Sequence, residues 1–393
     1  MIAPEHVRWL LSQPSNVLAQ RPALWEGMAI RYMFPSADPG AEFIPTLVKR
    51  HMSLSRVDAM QGIIAREMKR STDATLGTSL EEWNEVGLLD AVGSILTKVG
   101  HVIYFGPELA EDKELAGVLK AMGNWAAMGG LVIGQLSPAI FRTPLGYLFR
   151  LPLGYYARRY KRKWEPFMKE KVRHLQQQEQ QRDGLVDPAV SLDATTGAAE
   201  ALLRSKTMTV ESISTNFLIM YGIASNVKLP GCLALLLNLI CPPDEKITTE
   251  YLPLLRREIA SVLGSPAAWA DPDSFTPQNM PLTTAFTRES MRYSPLVANI
   301  PVRAVVAKEG VVLPDGTHVP LGAWLTCPAE AMTRDARFFP EPDVFNPFRW
   351  LEPEVSGHEK EGEGEPKYKL RADGELTASS ESFLFFGYGR HFW

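Results

Sequence analysis

An acidic and a basic residue lie three positions apart in the segment ESMR, Glu289 to Arg292. Residues at this spacing share one face of a helix, and on a surface such a pair contributes only about 0.2–0.5 kcal/mol. Here the surrounding helix is apolar and ends at Pro295, and a further cation, Arg349, follows in the aromatic segment FNPFRW. We therefore expect Glu289, Arg292 and Arg349 to form a buried charge network that holds FNPFRW against the helix, because a buried charge must be compensated.

The segment SFLFFGYGRHFW, Ser382 to Trp393, combines aromatic residues with two glycines and two adjacent basic residues. Gly387 and Gly389 allow a tight turn and a close approach of the backbone to a bound group, which a Cβ atom would obstruct. This composition indicates a turn that is shaped around a ligand.

The elements that position these residues follow from periodicity. Apolar residues recur at three- and four-residue spacing from Trp83 to about Leu175, which predicts helices. The stretch TVESISTNFLIMYGIASNV is apolar almost all round and predicts a buried central helix, which Pro230 should break or kink near Asn226. Valine-rich segments with turn pairs over residues 296–330 predict a small antiparallel sheet. The order predicts a mainly α fold with a small β part (α+β) in one domain over residues 1–393.

Two polar stretches are expected outside the core. Residues 176–198 are rich in glutamine and turn formers, which predicts a surface linker. Residues 357–375 are charged and contain glycines, which predicts an exposed insertion. The basic run ARRYKRKW over residues 157–164 is either a solvated helix face or a contact for anionic lipid.

Composition excludes several classes of protein. Hydrophobic residues make up 45% and charged residues 22%, and the net charge of −4 argues against nucleic-acid binding. The three cysteines do not have metal-ligand spacing, and they suit a reducing compartment. The N-terminal residues do not resemble a signal peptide. The longest apolar stretch carries Lys228 and Pro230, so we expect a buried helix and not a membrane anchor.

The motifs and their order resemble the cytochrome P450 haem-thiolate monooxygenases, particularly those of secondary metabolism in filamentous fungi. The resemblance rests on Glu-x-x-Arg before a proline, LPDGTHVPLG in the sheet, FNPFRW and then FLFFGYGRH. Relative to that family, the chain is expected to be incomplete at its N-terminus and to lack the helix that follows the haem ligand. The family's membrane anchor would precede Met1.

The resemblance implies roles for single residues. Glu289, Arg292 and Arg349 correspond to a structural charge triad on the haem side of the fold. Arg303 resembles a strand arginine that binds a haem propionate, a role that suits a guanidinium because it donates two parallel hydrogen bonds. The alternative for Arg303 is an exposed strand residue.

The closing turn is similar to the haem-binding turn of the family. The resemblance makes Phe386, Gly387 and Gly389 cofactor-binding residues, and it places His391 where a basic residue faces a propionate.

On the central helix, the family carries a small residue, an acidic or polar residue and a threonine, which relay protons to bound O2. The counterparts here are Ser225 and Asn226, after Gly222 and Ala224. The usual threonine pair and carboxylate are missing, and Ser225 serves equally well as a residue that caps a bend.

The position of the haem ligand departs from the family. The pattern that starts at Phe386 places the thiolate cysteine at residue 393, which is Trp393. An indole N–H is a donor only and has no lone pair for iron. Cys232 and Cys241 lie on or after the central helix and Cys327 lies in the sheet, so none of them is a substitute.

The resemblance therefore implies haem b as cofactor, O2 and a lipophilic substrate (a terpenoid, alkaloid or polyketide), and electrons from an NADPH-cytochrome reductase. Complete relatives are expected on the cytosolic face of the endoplasmic reticulum membrane. The chain as printed has no anchor, so it is expected to be cytoplasmic or peripheral. Two alternatives remain: a catalytically inert chain, because of Trp393, and a haem-free helical protein that binds lipophilic ligands.

Overall fold

The structure, a computed structural model, describes residues 1–35, 43–51, 53–79, 81–181, 193–205, 208–353, 367–376, 378 and 380–385. These residues form mainly α-helices with small antiparallel sheets, which confirms the predicted fold class. The helices are α1 (Val7–Ser12), α2 (Gln20–Gly27), α3 (Ile30–Met33), α4 (Phe43–His51), α5 (Leu54–Ala59), α6 (Gln61–Leu76), α7 (Leu88–Ala110), α8 (Lys113–Gly129), α9 (Ala139–Gln181), α10 (Ala194–Arg204), α11 (Val210–Ile240), α12 (Leu252–Val262), α13 (Pro266–Ala270), α14 (Pro281–Tyr293) and α15 (Ala329–Thr333). The strands are β1 (Leu18–Ala19), β2 (Val302–Val305), β3 (Val311–Val312), β4 (His318–Val319), β5 (Trp324–Thr326), β6 (Leu351–Pro353) and β7 (Tyr368–Leu370).

Internal contacts divide the chain into two compact units. Unit 1 comprises Met1–Ala23 and Pro230–Trp393, and unit 2 comprises Leu24–Leu229. The division falls within α11, between Leu229 and Pro230.

Unit 1 contains all the strands of the described residues. β1, β2 and β5 form an antiparallel sheet in the order β1-β2-β5, and β3 pairs with β4 and β6 with β7. One core packs α1 against this sheet around Leu10, Leu18 and Leu325. A second core packs α12 and α14 against the aromatic segment after α15, around Tyr251, Phe286 and Trp350. This second core carries the Glu-x-x-Arg segment, so aromatic burial fixes the helix that presents it.

The described residues of unit 2 form helices joined by loops, without strands. Its core joins α7, α9, α10 and the N-terminal part of α11, with Phe105, Trp164 and Phe217 fully buried. The rings of Phe105 and Phe217 meet edge to face with centroids 5.6 Å apart. The N-terminal part of α11 is thus buried in this core, as its apolar sequence predicts.

A glycine shapes the C-terminal end of α7. Gly106 has φ +76°, and Pro107 follows it, so the helix is kinked there. A Cβ atom on Gly106 would lie 2.7 Å from Asp193 Oδ2. Asp193 in turn accepts a hydrogen bond from the backbone N of Thr196 (2.9 Å), which caps α10, and pairs with Lys171 at 2.9 Å. The close approach of Asp193 therefore requires glycine at residue 106.

The polar stretches differ from the predictions at their edges. α9 continues to Gln181 and α10 begins at Ala194, so only the middle of the predicted linker 176–198 separates them, and residues 182–192 lie outside the described part. The hydroxyl groups of Thr195 and Thr196 donate hydrogen bonds to Asp193, so the polar first turn of α10 can be buried. Within the predicted insertion 357–375, residues 368–370 form β7, which pairs with β6. The linker was predicted too long because polar composition was taken as exposure.

The central helix continues past its proline. α11 runs from Val210 to Ile240 with Pro230 inside it, so of the predicted break or kink near Asn226 the break does not occur. Proline removes one backbone hydrogen bond. Leu235 and Leu239, after the proline, pack against the core of unit 1, and this packing offsets the lost bond.

Candidate functional site

Glu289 lies at the centre of a buried hydrogen-bond network in unit 1. Its side chain is 0% exposed, on the face of α14 that meets the aromatic segment. Arg292 donates to both carboxylate oxygens, from Nη2 to Oε1 at 2.8 Å and from Nε to Oε2 at 3.0 Å. Arg349 Nε donates to Oε1 at 3.2 Å. The structure thus brings together the three charged residues that the sequence singled out.

Two further donors complete the carboxylate's partners. The backbone N of Asn346 donates to Oε1 of Glu289 at 2.8 Å, and Trp350 Nε1 donates to Oε2 at 2.9 Å. Both belong to the segment FNPFRW. The sequence reasoning missed them, although the tryptophan beside Arg349 was a signal, since a buried indole N–H needs an acceptor.

The two arginines also hold the irregular loop before FNPFRW. Arg292 Nη1 donates to the carbonyl oxygens of Thr333 (2.9 Å) and Pro342 (2.6 Å). Arg349 Nη1 donates to the carbonyl oxygen of Pro340 at 2.8 Å. Both guanidinium groups also donate to the carbonyl oxygen of Val344, at 2.9 and 3.1 Å. The carbonyl oxygens of this irregular loop therefore accept hydrogen bonds from the two arginines of the charge network.

Arg303 lies on β2, in register with Leu325 of β5. Its side chain is fully buried. The alternative of an exposed strand residue is therefore wrong. A buried guanidinium is costly unless an anion compensates it.

The glycine-rich turn lies outside the described residues, which end at Phe385. Phe386, Gly387, Gly389, His391 and Trp393 therefore keep the roles that the sequence predicts for them, without a structural account. The segment that leads to them is described.

In that segment Phe383 and Leu384 are buried, and the backbones of Ser380 and Phe383 form an isolated bridge. The last described residues before position 386 therefore include part of the buried core of unit 1.

Ser225 and Asn226 lie on the part of α11 that belongs to unit 2. Ser225 lies one turn after Tyr221, whose ring packs edge to face on Tyr104 of α7 with centroids 5.4 Å apart. Burial raises the pKa of Tyr221 to about 12. The side chain of Asn226 lies outside the described part.

A histidine that the sequence reasoning did not single out is buried beside this contact. His101 of α7 packs against Phe105 and Tyr221, and its Nε2 has no hydrogen-bond partner among the described residues. Burial, together with the nearby charge of Lys228, lowers the pKa of His101 to about 4. The imidazole is therefore neutral near pH 7.

The cysteine thiols of the described residues do not offer an iron ligand at this site. Cys327 is fully buried after β5, and burial raises the pKa of its thiol to about 12, so it is not a thiolate. Cys232 lies within α11, and Cys241 follows that helix. Iron in a haem-thiolate centre needs the deprotonated sulfur.

A buried Glu-x-x-Arg pair tied to an aromatic loop, and a small sheet with a buried arginine, are features that the resemblance to haem monooxygenases predicts. The sequence matches the model of the family described as "Cytochrome P450" over residues 157–392. Because this match covers more than half of the chain, the protein belongs to the cytochrome P450 family.

Curated fungal proteins are similar over nearly the whole chain. Cytochrome P450 monooxygenase polB of Polytolypa hystricis (strain UAMH7299) is 27% identical over 399 residues, which cover 99% of this chain and 73% of polB. Cytochrome P450 monooxygenase nodZ of Hypoxylon pulicicidum is 25% identical, with 99% and 71% covered. Cytochrome P450 monooxygenase efuH of Hormonema carpetanum is 25% identical, with 100% and 67% covered. The chain is thus of the fungal type within an oxidoreductase family.

The family implies a haem, and the residues of unit 1 fit one side of it. Arg303 is a buried cation on the small sheet, which suits the carboxylate of a propionate. The position of the thiolate ligand falls at Trp393, outside the described residues, and an indole does not ligate iron. The donor set therefore fits the carboxylates of a haem but not its iron.

Proposed function

We propose that this protein is a haem-dependent monooxygenase-type protein that oxidises a lipophilic small molecule of fungal secondary metabolism. The observation that carries the proposal is the buried network of Glu289, Arg292 and Arg349, within a chain that belongs to the cytochrome P450 family. The relatives' printed names support a monooxygenase activity. A terpenoid, alkaloid or polyketide substrate is in keeping with a helical core this rich in apolar residues.

The chain's own residues would divide the work of binding haem b. Arg303 and His391 would each face a propionate, and Gly387 and Gly389 would let the backbone approach the ring. A bound haem with a thiolate ligand supplies the activation of O2 in this family. Electrons would come from an NADPH-cytochrome reductase.

Ser225 and Asn226 are proposed as polar groups of the oxygen side. Both residues follow Tyr221 on α11, and each carries a polar group that could take part in proton transfer. Replacing Asn226 with Leu, or Ser225 with Ala, should therefore slow substrate oxidation. Unchanged rates in both variants would refute the assignment.

The second candidate function is a catalytically inert haem-site protein, and Trp393 is the observation that favours it. The two candidates differ in one spectrum. The purified protein is loaded with haem, reduced and exposed to carbon monoxide. A thiolate-type spectrum supports the monooxygenase and excludes the inert protein. A spectrum without thiolate character supports the inert protein.

For localisation, we propose that the protein lies on a membrane surface, in keeping with the endoplasmic reticulum membrane that the resemblance implies for complete relatives. By length and composition alone, three helical stretches of the described residues could cross a membrane: Leu88–Ala110, Lys113–Leu136 and Val210–Ile240. The first and third contribute Phe105, Phe217 and Tyr221 to the core of unit 2. Of their apolar windows, 39% and 6% are buried.

The support for peripheral binding comes from another surface of unit 2. Large apolar side chains are exposed from the end of α8 to the first half of α9: Met128, Leu131, Leu136, Ile140, Phe141, Tyr147, Leu148, Leu151 and Tyr155. Exposed apolar area of this extent marks an interaction surface. Replacing Leu136, Ile140 and Leu151 together with serine should abolish sedimentation with neutral phospholipid vesicles. Unchanged sedimentation would contradict the proposal.

The neighbouring basic run is engaged within unit 2. Arg159 and Lys163 pair with carboxylates at the N-terminal end of α8, at 2.6 and 2.9 Å. Tyr160 and Trp164 of the same run are fully buried. These contacts favour the reading of the run as a helix face, and membrane binding is therefore expected to depend little on anionic lipid.

A further inference from the structure

A second charged residue of α14, Arg288, is buried directly before Glu289. Its side chain is 2% exposed. The guanidinium carbon lies 3.7 Å from the centroid of the Phe383 ring and 5.2 Å from that of Trp350. Nη1 donates to the carbonyl oxygen of Leu376 at 3.3 Å. Arg288 thus contacts the chain on both sides of residues 377–382.

The surroundings of Arg288 differ from those of Arg292. Among the described residues no carboxylate lies within ion-pair distance of Arg288, and its Nε has no hydrogen-bond partner there. Burial lowers the pKa of the guanidinium to about 10, although the charge of Asp373 acts in the opposite direction. Aromatic faces attract a cation through the ring quadrupole, most strongly where water is excluded. The rings therefore provide the compensation that a carboxylate gives elsewhere in this core.

Phe383 occupies a particular place in the chain. Its backbone N donates to the carbonyl oxygen of Ser380 at 3.2 Å, and its ring stacks on that of Phe385 with centroids 6.4 Å apart. Its ring also meets the ring of Trp350, at 6.2 Å, and Trp350 donates to Glu289. Two neighbouring residues of α14 are therefore linked to Phe383. Arg288 lies directly over its ring, and Glu289 is linked to it through Trp350, which donates to Glu289 and whose ring meets that of Phe383.

We propose that Arg288 is a positioning residue that clamps residues 376–385, the segment that leads into the glycine-rich turn. The guanidinium of Arg288 lies over the ring of Phe383 and also donates to the carbonyl oxygen of Leu376. One side chain of α14 therefore holds the segment at two points, Leu376 and Phe383. The purpose of the clamp, to direct the turn toward a haem, rests on the proposed function. The contacts of the clamp itself join protein groups only, so they can be tested in the protein without cofactor.

The test is hydrogen exchange of the haem-free chain, followed by mass spectrometry on peptides that cover 376–385 and on peptides of α14. Arg288→Met keeps the length of the side chain without its charge, and Phe383→Leu removes the ring. Each should speed exchange in 376–385 by about tenfold or more, while α14 is unchanged. Arg288→Lys keeps the charge but not the planar group, so it should restore part of the protection.

Arg334→Met is the matched control. Arg334 lies over the Tyr293 ring at 4.1 Å, also in unit 1, and donates to the Tyr293 carbonyl oxygen. It has no ion pair or hydrogen bond with the described residues of 376–385. It should leave exchange of that segment unchanged. The double variant Arg288→Met/Phe383→Leu should exchange no faster than either single variant, because both remove one contact.

Unchanged exchange in Arg288→Met, or an equal rise throughout α14 and the segment, would overturn the clamp. If Arg288→Met does not fold, Phe383→Leu and Arg288→Lys still decide the question. Haem titration of the same proteins is a separate readout. A parent chain without haem affinity would refute the proposed function while the exchange result still judges the clamp.

Discussion

Replacing Glu289 removes the one carboxylate of a network with several donors. In Glu289→Ala, Arg292 is left fully buried and Arg349 12% exposed, without their counter-ion. The N–H groups of Asn346 and Trp350 also lose their acceptor. Breaking a buried pair from one side costs about 3–5 kcal/mol, and the orphaned donors place this variant toward the upper end.

The assay is urea unfolding followed by far-ultraviolet circular dichroism. Circular dichroism is preferred to fluorescence because Trp350 is itself part of the network. The midpoint should fall with an unchanged dependence on urea concentration, which shows a change of stability and not of the unfolded state. Glu289→Gln should be nearly as destabilising, since its amide N–H group would face the donors of Arg292.

Glu352→Gln is the control for a carboxylate in an exposed pair. Glu352 pairs with Lys369 at 3.1 Å across β6 and β7, and both side chains are about half exposed or more. Exposed pairs contribute little, so the midpoint should hardly move. A loss below about 1 kcal/mol in Glu289→Ala would refute the reasoning, because it would mean that water or other groups compensate the two arginines.

Other residues give independent predictions. Glu258→Ala should destabilise the fold by about 1–2 kcal/mol in urea unfolding, because Glu258 accepts from the backbone N of Leu282 and Thr283 (2.7 and 2.8 Å) and so caps α14; no change would mean that water replaces the cap. His101 has its pKa lowered to about 4 from an ordinary value near 6.5, so the unfolded state binds the extra proton as pH falls between these values. The free energy of unfolding should therefore decrease between pH 6.5 and pH 4 by about 3 kcal/mol more than it does in His101→Phe. Parallel pH profiles of the two proteins would contradict this. Buried Cys327, with its thiol pKa raised to about 12, should resist iodoacetamide in the folded protein while exposed Cys241 reacts, as peptide mass spectrometry would show; alkylation of both at equal rates would mean that the sheet opens readily.

The charge network could be predicted from sequence because its spacing and order carry the information. Glu289 and Arg292 lie one turn apart on a helix, and the aromatic segment supplies Arg349. That Glu289 also accepts hydrogen bonds from Asn346 and Trp350 could not be predicted, since these bonds depend on how an irregular loop folds back onto α14.

Local composition was a poorer guide where tertiary contacts decide. Thr195 and Thr196 look like linker residues, but they are buried because Asp193 accepts their hydrogen bonds. Pro230 looks like a helix breaker, but α11 continues because the residues after it are packed. The packing of Tyr221 of α11 on Tyr104 of α7 depends on how the two helices meet, which no single motif records.

The proposed function requires that unit 1 carries a haem-binding scaffold in which Arg303 meets a propionate. The most direct test is a haem titration of the purified chain and of Arg303→Met, followed by the Soret absorbance, with Arg334→Met as control. We expect saturable binding of one haem per chain and at least about tenfold weaker binding in Arg303→Met alone, because that variant loses a charge-assisted pair. Binding that does not saturate, or that is equally tight in Arg303→Met, would contradict it.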